Sequence, residues 1–75
     1  MSEVNEILEI VKILMEKEIE PIIVRKSDAI GWYVEIDTVG FTDEDMRFLV
    51  DTFRFEIHSD GVMLVYSLKN RKEVI

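Results

Sequence analysis

From Val4 onward apolar side chains fall at positions 4, 7, 8, 11, 14, 15 and 19, the three-and-four spacing of one helical face. Ser2 is placed to cap the first amides, and Glu3 and Glu6 lie near the positive end of the helix dipole. Pro21 has no amide to donate and disfavours helix at Glu20, so the helix should stop by about Ile19. Beyond Pro21 the period changes to two. Ile22 and Val24 alternate with Ile23 and Arg25, and Trp32, Val34 and Ile36 alternate with Tyr33, Glu35 and Asp37. Pairing Val24 with Val34 and Ile22 with Ile36 gathers the large apolar groups on one face and leaves residues 27–31 as the hairpin loop.

A second helix start follows. Thr42 is the expected N-cap, Asp43, Glu44 and Asp45 fill the first turn, and Phe41 and Met46 stand where a hydrophobic staple places them. Met46, Leu49 and Val50 continue its buried stripe. Two more alternating runs, 53–58 and 62–68, are separated by Ser59-Asp60-Gly61, and Asp-Gly between such runs signals a tight hairpin. Phe53, Phe55 and Ile57 are expected to share a face with Val62, Leu64, Tyr66 and Leu68, and residues 69–75 form a fraying tail.

The pattern therefore predicts an α+β fold in the order α-β-β-α-β-β, a two-layer sandwich with both helices on one face of a four-stranded sheet. Residues 1–75 form one domain, built of similar units at about 1–38 and 39–68. A shift of 35 lays Val11, Leu14 and Met15 on Met46, Leu49 and Val50, and a shift of 30 lays Trp32, Val34 and Ile36 on Val62, Leu64 and Tyr66. These offsets raise an internal αββ duplication. The predicted core is Leu8, Val11, Leu14, Met15, Ile22, Val24, Trp32, Val34, Ile36, Met46, Leu49, Val50, Phe55, Ile57, Leu64 and Tyr66.

Charge changes the picture of partners. Nine basic against sixteen acidic residues give a net charge of −7, the opposite of the bias of a duplex-binding domain. The first helical segment carries six glutamates, Glu3, Glu6, Glu9, Glu16, Glu18 and Glu20, against Lys12 and Lys17. Such a face is ordinarily solvated, but it also suits an acidic mimic of nucleic acid that blocks a nucleic-acid-processing protein. No apolar run is long enough to span a bilayer, and the polar, acidic start is not that of a signal peptide. Absence of cysteine and glutamine with abundant Glu, Lys, Ile and Val is a thermophile-like bias, and an intracellular location is the default.

Candidate chemistry is sparse. His58 is the only histidine, with Glu56 and Asp60 near it in sequence, so an imidazole base oriented by a carboxylate is the one enzymatic arrangement on offer. A solvated strand residue beside a turn explains His58 more simply. One histidine and no cysteine cannot build a standard zinc site, and no residue pattern calls for a cofactor. The sheet face opposite the predicted core should carry Arg25, Glu35, Arg54 and Glu56 together with Ile23, Tyr33, Met63 and Val65. Those four apolar residues form the candidate interface, for another protein or for a second copy of the chain. The leading expectation is thus a small acidic, non-enzymatic interaction or regulatory module, homodimerisation being one form of it.

Overall fold

The computed structural model describes residues 3–59 and 61–69. Helix α1 (Glu3–Glu16), strands β1 (Ile23–Ser27) and β2 (Gly31–Asp37), helix α2 (Asp43–Thr52) and strands β3 (Phe53–Ser59) and β4 (Val62–Leu68) follow in that order. The four strands form one antiparallel sheet in the order β1-β2-β4-β3, which leaves β1 and β3 as its edges. Helix α1 lies against β2 and β4, and α2 against β3. The fold class is α+β, as the pattern predicts.

Local signals explain where the elements begin and end. Helix α1 closes before Pro21 is reached, in a Schellman-type turn: Ile19 N–H donates to Leu14 C=O at 2.9 Å and Glu18 N–H to Met15 C=O at 3.0 Å. Glu18 takes the left-handed position at φ 62, normally a glycine's, and Ile19 is buried beside the helix end. Thr42 and Asp45 form a reciprocal capping box, each backbone N–H donating to the other's side chain at 3.1 Å. Phe53 ends α2 and opens β3 with no loop between, its N–H still donating to Leu49 C=O. Lys69, expected in the tail, is held instead: its amide donates to Thr52 C=O at 2.8 Å and its Nζ to Val50 C=O at 3.0 Å, satisfying carbonyls at the end of α2. The rest of the predicted tail, 70–75, lies outside the described residues.

The first hairpin pairs Val24 with Val34 as expected, with a shorter loop, since Ser27 still pairs with Gly31. The second hairpin departs from expectation. Its end pair, Ser59 with Val62, fits a two-residue turn, but His58 is an extra residue, so Ile57 pairs with Met63 and Phe55 with Val65. A second irregularity, with Tyr66 as the extra residue, restores the original register at Arg54–Ser67 and Phe53–Leu68. Between the two bulges every side chain of β4 is turned to the face opposite the one expected.

The core follows from that turn. Met63 and Val65, expected on the open face, are 1% and 0% exposed, and they join Val34 and Ile36 of β2, Phe53, and Ile7, Ile10, Leu14, Ile19 and Leu49 from the helical segments. Leu64 is half-buried on the other face, opposite Glu35 and Glu56. Of the remaining predicted core, Leu8, Met15, Ile22, Val24, Val50 and Ile57 are exposed. Helix α1 is apolar on two adjoining stripes and buries the one at 7, 10 and 14. Ile22, Val24 and Ile57 belong to the two edges of the sheet, away from the central pair that α1 covers. Ile13 and Phe48 pack against the core, and the Phe48 ring meets Phe53 edge-on at 6.0 Å with Lys17 Nζ 4.8 Å from its centroid.

Candidate functional site

Two of the three residues expected to carry chemistry lie among the described residues. His58 and Glu56 are exposed on the edge strand β3, His58 as a bulge residue, and Asp60 lies outside the described residues. Among the described residues no group of three or more histidine, cysteine, aspartate or glutamate side chains could hold a metal ion. A cleft of about 510 Å³ is lined by Met15, Glu18, Ile19, Glu20, Asp37 and Phe41, so neither His58 nor Glu56 borders it. Its three carboxylates, Glu18, Glu20 and Asp37, are all exposed.

One acid of the first helix has a structural task that sequence reasoning missed. Glu6 Oε2 accepts from Ser67 Oγ at 2.8 Å and from the Leu68 amide at 3.1 Å, tying α1 to the end of β4. No local pattern signals a contact between residues 61 positions apart. Glu6 is thereby separated from any free array of carboxylates along α1, while Glu9, Glu16, Glu18 and Glu20 remain exposed.

The candidate interface divides. Ile23 and Tyr33 do stand on the face turned from the core, beside Arg25 and Glu35. Met63 and Val65 do not, and Val62 and Leu64 take their places. The larger exposed apolar area lies elsewhere. Val4, Leu8 and Met15 on α1 are 43%, 60% and 62% exposed, and Ile22 and Val24 by β1 are 56% and 41% exposed. Glu6 of α1 and Lys17 just after it face β4 and Phe48, so the stripe of Val4, Leu8 and Met15 is on the flank turned toward β1. Val24 pairs with buried Val34 and so points to the same side of the sheet as α1. Both sets of exposed apolar residues thus lie on the helix side of the sheet, and α2 packs at the other edge, against β3.

Comparison with protein-family models, with curated proteins and with solved structures brings no match. Among the described residues no helix is long and apolar enough to cross a membrane.

Proposed function

We propose that the chain is a non-enzymatic protein-interaction module, a two-layer domain with both helices on the Val34–Val65 side of the sheet, whose contact surface is the outer flank of α1 together with β1. The observation that carries this reading is the exposure of Leu8 and Met15, each above half, on a helix that already buries a separate stripe at Ile7, Ile10 and Leu14. Isolated exposed apolar residues need no explanation, but five contributed by a helix flank and by the edge segment 22–24 on the same side of the sheet make a patch of the kind that partners cover. The edge itself offers unpaired backbone groups. The two-layer arrangement is supported by one core cluster that unites side chains of both helices with those of β2, β3 and β4.

The test compares the wild-type chain with a Leu8→Glu/Met15→Glu variant as bait in an extract of the native host. The reading requires specific partners, self-copies included, that bind the first and are lost on the second. Identical capture by both chains overturns it.

A further inference from the structure

We infer that the occupant of this flank is a second copy of the chain, docked with its α1 antiparallel to the first in a two-fold dimer; the inference rests on the interaction-module reading above and names its partner. Val4, Leu8, Val11 and Met15 follow one another at intervals of four, three and four, the spacing of a helix–helix seam. Three of the four are exposed and Val11 is half-buried, so the seam is unfilled in the single chain. It runs along nearly all of α1, a 14-residue helix about 21 Å long at 1.5 Å per residue.

An antiparallel copy brings Val4 opposite Met15 and Leu8 opposite Val11, twice over, with every apolar group of the stripe meeting another. That arrangement is self-complementary, as a two-fold interface must be. The charges fit the same alignment. Lys12 of one helix falls roughly 3 Å along the axis from Glu9 of the other, by the helical rise, and symmetry makes two such pairs. Both side chains are exposed in the single chain. A helix arriving on this flank also passes over β1, whose exposed Lys26, paired with Trp32 and so on the helix side of the sheet, attracts the carboxylates that dominate α1. In a chain of net charge −7, Lys26 is the β1 cation placed to receive an acidic helix.

Sedimentation equilibrium of the purified full chain tests the inference. The expected result is a concentration-dependent dimer that becomes monomeric in Leu8→Glu/Met15→Glu with an unchanged circular dichroism spectrum. Should that variant unfold, Lys12→Glu keeps the question answerable: it should weaken the dimer on the order of threefold to tenfold, and adding Glu9→Lys in the same chain should restore it. Tyr33→Glu, on the other sheet face, should leave the dimer intact. A wild-type chain that stays monomeric to about millimolar concentration overturns self-association and leaves the module reading to its own capture experiment. A dimer that survives the α1 variants and is lost in Tyr33→Glu overturns the flank itself, and with it both readings.

Discussion

Glu6 holds the end of β4 against α1 through two hydrogen bonds to one carboxylate oxygen. Charge-assisted bonds of this kind contribute more than neutral ones, so Glu6→Ala should cost about 1–2 kcal/mol in urea denaturation of the monomer, whereas Glu9→Ala on the exposed face should cost the monomer almost nothing. Gly61 is constrained twice. It sits at φ 79, and a Cβ there would come within 2.6 Å of Val39 Cγ2. Its carbonyl also accepts from Thr38 N–H and Oγ, locking the second turn to the loop before α2. Gly61→Ala should therefore destabilise by about 1–3 kcal/mol, and a Val39→Ala background should relieve the steric part while leaving the backbone strain. His58 is exposed, so His58→Gln should shift thermal stability by no more than about 0.5 kcal/mol.

At the level of elements, the helices divide their apolar residues between an inner stripe and an outer one. Leu14→Ala and Leu49→Ala, both from fully buried positions, should each cost about 2–5 kcal/mol, while Leu8→Ala should change the stability of the monomer by far less. Similar losses at Leu8 and Leu14 in a monomeric sample would overturn the assignment of stripes. The Schellman-type end of α1 carries glutamate where glycine avoids strain, so Glu18→Gly should raise stability by about 0.5–1 kcal/mol despite its entropic cost. The likeness between the two units survives in the helices: Leu14 and Leu49 are buried, Val11 and Met46 half-buried, Met15 and Val50 exposed. It fails in the strands at an offset of 30, which matches buried Val34 with Leu64 on the opposite face. An even offset cannot preserve faces across an antiparallel pair in which Val34 meets Val65.

Across the whole molecule, the sheet order β1-β2-β4-β3 places the two second strands side by side at the centre, the arrangement a two-fold relation between the units would produce. The helices break that symmetry. Helix α1 sits over the central pair and α2 over β3, so the flank above β1 has no helix of its own. An interface built on that apolar flank should hold its affinity across an ionic-strength series, because raising salt screens the mutual repulsion of two chains of charge −7 as well as the Lys12–Glu9 pairs. Sedimentation across that series checks it. A steep loss of binding with salt would mark a partner read through the carboxylates of α1 instead.

The sequence by itself determined the six elements, the N-cap at Thr42, the pairing of Val24 with Val34 and the α+β class, because each of these depends on residues a few positions apart or on a single clear period. Tertiary structure decided which face of α1 and of β4 is inside. Residues 62–66 of β4 are apolar without interruption, so their alternation is silent, and one extra residue at His58 selects the face. Helix α1 likewise offers two apolar stripes of similar quality, and only its seating on Val34, Ile36, Met63 and Val65 chooses the one at Ile7, Ile10 and Leu14. The candidate surface moved with those choices. Burying Met63 and Val65 emptied half of the expected patch, and leaving Leu8 and Met15 in water created another, since a helix resting on a sheet covers one side of itself and no more.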